Sequence, residues 1–513
     1  MTLIRTRLIA CMLILASVAI FAQTDSTKAS GNWNAASTWK SNTVPTGAGT
    51  YIIRGTDSVY FSAAAIINGT VKTLSGKIGV FDSSKIVFKA GSIYEHAVNG
   101  GTLPKVVWDS GSTCLITGVV GNAPSNGNQN FYNLTWNCPA QSGGLNLGMG
   151  NNTIGGTVRI IKSNSQYFRL TAGNITVPIG RKLITINGDV VVDTLTAFFT
   201  TTGSGSPSDT FSVVIKGNIN SKGTFQVANG SGAMVNLFIQ GNVSVTEGTF
   251  TTNSTATVPD SVIFSGTTKQ IFIRGGAVTS SNIRFAVRKG AIVDFDTNTV
   301  GGSSTSTFTL AAGGTLISGH AKGLKGNLNN GAATILDSTA NFEYDGTVAQ
   351  ADTLLPTAVN NLTINNAAGV TLKSPTRING ILTLKAGVFD NTVPFTLGPS
   401  GSIVNGGGSL KFPVTSVKSL NENEIPVSFF VQQNYPNPFN PSTTIVFGIA
   451  KSGLVSAKVF NLLGQEVADI LNEYKNAGEY SVNFNASHLS SGVYLYRIQS
   501  GNSVDVKRMV LMK

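Results

Sequence analysis

Between residues 30 and 430, apolar and polar positions alternate in short runs broken by glycine. Val190-Val191-Val192, Val213-Val214-Ile215, Leu237-Phe238-Ile239, Ile271-Phe272-Ile273 and Leu382-Thr383-Leu384 all have Thr, Ser or Asn nearby. Alternation over so few residues predicts strands with one buried face. Glycine or Asn-Gly punctuates the runs, supplying corners where a positive φ is tolerated. The same span contains no run with helical periodicity.

The pattern recurs. Gly217-Asn218 and Gly241-Asn242 lie 24 residues apart, and the Gly-Thr-Phe triplets ending at Phe225 and Phe250 lie 25 apart. Leu-x-Ala-Gly occurs at 170–173, 310–313 and 384–387, with the Asn-led segments Asn133-Leu-Thr-Trp136, Asn282-Ile-Arg-Phe285 and Asn361-Leu-Thr-Ile364 upstream. Trp108-Asp-Ser-Gly111, Phe264-Ser-Gly266 and Tyr344-Asp-Gly346 stand further upstream, suggesting three diverged copies. Periods near 24 predict a solenoid in which each turn buries its apolar edge against its neighbours. We therefore expect an all-β chain with a right-handed parallel β-helix over 46–413. Its roughly 15 turns, at ~4.8 Å each, give a rod of about 70 Å. A string of β-sandwiches is the rival, but it requires longer strands at wider spacing.

Composition agrees with stacked strands. Of 513 residues, 58 are glycine and only 12% are charged, so the outer faces must be largely Ser, Thr and Asn. The net charge of +12 is scattered, without the Lys/Arg clustering of a nucleic-acid footprint. A diffuse basic surface attracts anionic glycans or lipopolysaccharide only through screened fields.

Residues 1–22 read as a signal peptide: Arg5 and Arg7 precede an apolar run from Leu8 to Ala22 that is short for a membrane span. No later run is long enough to span a bilayer. Residues 23–45 form an expected capping segment, Trp33 and Trp39 preceding Thr43-Val44-Pro45. This resembles the opening of many secreted bacterial β-helix modules, in which the Trp pair closes the first turn. Stacking of a sugar on the same rings is the alternative. Removal of Cys11 leaves Cys114 and Cys138, about one turn apart, as a disulfide candidate or a stacked reduced pair.

Residues 414–433 read as a polar linker around Asn421-Glu-Asn-Glu-Ile-Pro426. Pro436, Pro438 and Pro441 then remove backbone donors, so this stretch is expected to lie along a domain edge without extending a ladder. Alternation at Val455, Ala457 and Val459 and at Tyr480, Val482 and Phe484, with a hairpin connection at 461–464, predicts a small antiparallel Ig-like β-sandwich of about six strands over 434–513.

NYPNPFNPSTTI, VFNLLGQEV, LSSGVYLYRI and the terminal KRMVLMK occur in this order over about Tyr435 to Lys513. Together they resemble the type A C-terminal sorting domain of the type IX secretion system. The resemblance implies signal-peptide export into the periplasm, then delivery across the outer membrane to the surface or the medium. The implied partners are the translocon and its sortase, with possible attachment to lipopolysaccharide. It also implies that Pro436, Asn437, Pro438, Phe439, Gly464, Gly492, Tyr494, Lys507 and Lys513 belong to the sorting signal.

Candidate chemistry is sparse. Secreted β-helices include polysaccharide lyases and glycoside hydrolases, whose carboxylates act in pairs. Asp294 and Asp296 are the weak catalytic candidates, on one strand face near Arg284, Arg288 and Lys289. Glu343 with Asp345, and Asp189 with Asp193, are further alternating pairs. His96, His320 and His488 are isolated, and no zinc, calcium or phosphate-loop motif occurs, so no metal or cofactor is expected. The reading of first choice is a non-enzymatic secreted or surface protein with an adhesive, structural or glycan-contacting role. A carbohydrate-active β-helix enzyme is the alternative.

Overall fold

The short apolar runs are strands, and each is hydrogen-bonded in parallel to a strand of the next turn. The computed structural model describes residues 24–513 apart from 81–85, 172–181, 203–209, 231–233, 255–259, 276, 281–282, 301–305, 329–332, 413–416 and 422–427. The proposed signal peptide thus lies outside the described residues. The longest face of the stack is a 17-stranded sheet. It starts with Thr24–Ser26 on Thr50–Ile53 and ends with Ile381–Ala386 on Ser402–Asn405. In the middle of the chain, six-stranded and eight-stranded sheets complete a three-sided turn. Val190–Val192, Ala197–Thr202 and Thr210–Ile215 occupy the three sides before Ile219–Ser221 returns to the first. The result is a parallel β-solenoid over residues 24–410, in a chain with 2% helix.

Register explains why like residues recur. Phe168, Phe198, Phe225 and Phe250 are successive ladder partners inside the six-stranded sheet. All four are fully buried, with neighbouring ring centroids 6.4, 5.5 and 5.3 Å apart. Burying one such ring contributes about 1.5–3 kcal/mol relative to exposure. One apolar cluster runs from Trp33 to Phe395, so the solenoid has a single continuous core.

The Gly-Asn repeat is a corner device. The side-chain oxygen of Asp189 accepts the Asn218 N–H, that of Asn218 accepts the Asn242 N–H, and that of Asn242 accepts the Ile271 N–H. Preceding glycines let the corners touch: a Cβ on Gly241 would meet the Gly217 carbonyl oxygen at 2.3 Å, and one on Gly217 would meet Gly188 backbone at 2.4 Å. Asn133 and Asn361 do the same for Thr157 and Ile381. The expected triple repeat is not a repeat of position, however. Asn133–Asn137 and Leu362–Asn365 lie in the 17-stranded sheet, whereas Ile283–Val287 lies in the eight-stranded one. Turn length varies with insertions at the corners, so sequence order does not preserve the face.

Trp33 and Trp39 pack edge to face at 4.9 Å, and Trp33 stacks on Phe61 of the following turn at 5.0 Å. Trp39 Nε1 donates to the Trp33 carbonyl at 3.0 Å. Both rings are buried, so neither offers a face to a sugar.

The C-terminal region is antiparallel. Gly453–Phe460, Glu466–Lys475, Gly492–Ser500 and Ser503–Leu511 form one four-stranded sheet. The other contains Ser442–Ile449, Gly478–Asn485 and two short strands from the segment read as a linker, Val417–Asn421 and Phe430–Val431. The sandwich therefore has eight strands rather than about six. Its core, from Val431 to Leu511, is separate from that of the rod.

Two substitutions probe the stack. Phe225→Ala should destabilise the solenoid by about 3–5 kcal/mol. Asn242→Ala, which leaves its oxygen's partner to water, should cost about 1 kcal/mol or less. Chemical denaturation of the full chain checks both; equal effects would contradict the assigned core and corner roles.

Candidate functional site

The proline-rich opening of the sandwich is held against its last strand. As expected, the stretch extends no ladder; the residues beside the prolines keep their donors and make isolated bridges, Tyr435 to Thr444 and Phe439 to Leu511. Phe439 N–H donates to the Val510 carbonyl and Met512 N–H to the Phe439 carbonyl, both at 2.9 Å, and the Phe439 ring is buried. Asn437 Oδ1 accepts the Val510 N–H at 2.9 Å. Tyr435-Pro436 and Asn437-Pro438 are cis peptides.

Asn434 was missed in the sequence reading, although it is the most connected residue of the motif. Its N–H donates to the Tyr496 hydroxyl at 2.9 Å. Its side-chain amide donates to Thr443 Oγ1 and to the Pro436 carbonyl at 2.9 and 3.1 Å. The Tyr496 hydroxyl donates to the Gln432 carbonyl at 2.8 Å, and burial raises its pKa to about 12. Tyr494 donates to the Ser490 carbonyl at 2.8 Å, and Lys513 Nζ to the Ser487 carbonyl at 2.6 Å. Lys507 pairs with Asp505 at 3.3 Å. Gly464 takes φ +78° in the hairpin connection, whereas Gly492 begins the penultimate strand, opposite Leu511. The expected signal residues thus fall in two places. Pro436 to Phe439, Gly492, Tyr494, Lys507 and Lys513 lie in or beside the last two strands, and Gly464 lies at a separate turn.

On the rod, Asp294 and Asp296 do not share a strand face. The strand Ile292–Asp294 ends there, and Asp296 turns left-handed at φ +45° with its N–H on Asp294 Oδ1 at 2.7 Å. The basic neighbour is Lys269, whose Nζ lies 2.5 Å from Asp294 and 3.7 Å from Asp345. Arg288 instead lies over the Phe238 ring at 4.6 Å. Successive ladder partners place Asp294, Ile317 and Glu343 in one row. Gly319 leaves room beside this row, since a Cβ there would come within 2.6 Å of Asp296 Oδ1. Sequence-separated carboxylates thereby gather around one lysine.

Electrostatics follow from that crowding. Burial and the neighbouring charge of Asp294 push the Asp345 carboxyl up to about 6, against the weaker pull of Lys269 at 3.7 Å. Lys269 is desolvated too, but the Asp294 hydrogen bond and the Asp294, Asp345 and Glu343 charges hold its pKa above the ordinary value. Glu343 pairs with Lys385 at 3.2 Å. The other pair considered, Asp189 and Asp193, is engaged elsewhere: Asp189 caps the Asn218 corner and Asp193 pairs with Arg159 at 3.2 Å.

Cys114 and Cys138 are both free and buried. They are not stacked: Leu134, not Cys138, is the ladder partner of Cys114, because this turn is shorter than 24 residues. Cys138 Sγ donates to the Ile116 carbonyl at 3.4 Å. Buried His96 donates from Nε2 to the Gly100 carbonyl and hydrogen-bonds the Tyr94 hydroxyl at Nδ1, and burial lowers its pKa. Among the described residues, no three His, Cys, Asp or Glu side chains form a group able to hold a metal.

The class that the fold defines is a parallel β-solenoid followed by a separate antiparallel β-sandwich, whose proline-rich strap is tied to its last strand. Residues 433–512 match the family of secretion system C-terminal sorting domains. The chain therefore carries a type IX sorting tail, which implies engagement with the secretion machinery and a secreted or cell-surface destination. Comparison with curated proteins and with solved structures gave no match. No helix among the described residues is long and apolar enough to cross a membrane.

Asp345 gives a pH test. Its folded pKa of about 6 exceeds the ordinary aspartate value of about 3.9, so the folded chain holds a proton that the unfolded chain has released. Stability should fall as pH rises from about 4 through 6, by on the order of 2–3 kcal/mol from this group. Asp345→Asn should remove that slope and be the more stable form at pH 7. Denaturation midpoints across pH 4–8 check it; parallel curves for the two proteins would refute the assignment.

Proposed function

We propose that the protein is a non-enzymatic β-solenoid delivered to the cell surface or medium, where it contacts extracellular glycan or matrix. The observation carrying this reading is how the rod uses its charges. Lys72 with Glu95, Lys89 with Asp109, Arg159 with Asp193, Lys385 with Glu343 and Lys411 with Asp390 each bridge different turns, at 2.7 to 3.2 Å. Carboxylates held this way tie coils together, while rows such as Thr363 on Thr383 leave uncharged donors and acceptors outward. Such ladders suit many weak contacts with a repeating polymer.

The group around Lys269 favours a second reading, a carbohydrate-active enzyme. A carboxyl poised near pH 6 beside other carboxyl groups and a lysine is the kind of group that serves acid–base chemistry. A depolymerisation screen separates the two. Polysaccharide cleavage by the parent, abolished in Asp294→Ala or Asp345→Asn, would displace the scaffold reading. Binding without cleavage upholds it.

On this reading the sandwich is a detachable label, recognised by the translocon and its sortase after export through the signal peptide at 1–22. Deleting Tyr435–Lys513 should leave the rod folded and trapped in the periplasm. Surface display or release of the truncated chain at parental levels would refute the label role.

A further inference from the structure

Lys105, residues 123–128 and residues 146–148, from three successive turns, surround a cleft of about 410 Å³. That volume falls within the roughly 300–1,000 Å³ typical of small-ligand sites. The loops hold one another. Ser125 N–H donates to the Gly101 carbonyl and Leu103 N–H to the Ser125 carbonyl, at 2.9 and 3.0 Å. Asn128 Oδ1 accepts the Gly150 N–H at 3.1 Å, and Asn126 Nδ2 donates to the Leu103 carbonyl at 3.2 Å. The walls are thus fixed by bonds between turns, which makes the concavity a built feature rather than a gap.

Its chemistry is divided. Pro124 and Leu147 are buried and give an apolar floor. Three asparagines, Asn126, Asn128 and Asn146, line the rim. Among the described residues, the Asn146 side-chain amide and the Asn128 NH₂ group have no hydrogen-bond partner, leaving two NH₂ groups and one carbonyl oxygen available. Lys105 is the one charged residue of the lining; no carboxylate shares it, and none lies within ion-pair distance of Lys105 among the described residues.

Planar amides beside an apolar surface match a sugar ring, which presents hydroxyls at its edge and C–H groups on its face. A single ammonium without a counter-ion adds demand for an anion. We infer that this cleft binds a carboxylated saccharide unit of an acidic polysaccharide, with Lys105 pairing the carboxylate and the Asn128 and Asn146 amides bonding ring hydroxyls. The inference rests on the glycan-contacting reading and sharpens it to one site and one ligand class.

The test is affinity electrophoresis and calorimetry of the full chain at 0.15 M salt. The probes are an unmethylated galacturonate polymer, a neutral dextran and a sulfated glycan. The parent should bind the galacturonate polymer. Lys105→Ala should weaken binding about tenfold, Lys105→Arg should recover most of it, and an Asn128→Ala/Asn146→Ala double variant should also weaken it. Lys289→Ala, an exposed lysine outside the cleft, should bind like the parent. All substituted side chains are at least partly exposed, and circular dichroism would verify the folds. Parental affinity in Lys105→Ala, or failure of the parent to bind the galacturonate polymer, overturns the assignment. If the dextran or sulfated glycan still binds, the broader glycan-contacting reading survives; if no probe binds, both fall.

Discussion

The structure depends on parallel registration of one turn upon the next. A three- or four-residue strand cannot persist alone; its backbone groups are satisfied only by the turns on either side, and its apolar face is covered only by stacking. Everything else serves that registration. Phenylalanines fall above phenylalanines, glycines stand where two corners would collide, and side-chain oxygens of Asn and Asp replace missing backbone acceptors at the bends. Lysine–carboxylate pairs then span neighbouring turns on the outside. A stack also has ends. At the first, Trp33 and Trp39 are buried against Tyr51, and Trp33 stacks on Phe61.

The delivery module solves a different problem. Its two antiparallel sheets bury a core of their own, so the rod need not change for the label to be read. The proline-rich strap is where the module's sequence is most unusual, and geometry explains why. Prolines suppress continuous pairing, yet Phe439 and Asn437 still bind the last strand. Asn434, Thr443 and Tyr496 fix the strap from the other side. The opening and the end of the module therefore meet in space, which links two motifs separated by about seventy residues along the chain.

Much of this was legible in the sequence because period-two alternation, glycine corners and the Gly-Asn repeat each carry local physical information. The parallel stack and the antiparallel tail followed from those signals. Register did not. The spacing of Cys114 and Cys138 suggested stacking, but turns of unequal length put Leu134 above Cys114. Asp294 and Asp296 looked like a facial pair because nothing local showed that the strand stops at Asp294. The approach of Asp345 to Lys269 is invisible in the sequence, since it depends on how many residues each intervening turn uses. Gln270 and Gln350 make the same point. Each sits four residues after a glycine whose N–H it accepts, and each donates to two carbonyls of the preceding turn. The shared Gly-Thr-x-x-Gln spacing was a signal available to be read.

A single continuous rod bearing an independent tail is most directly tested by hydrogen exchange of the full chain, resolved by peptide. Protection should be high through the interior turns, lower towards Ser402–Leu410 at the open end, and independent in residues 430–513. Separate cooperative blocks within residues 50–405, or a tail that opens only together with the rod, would contradict it.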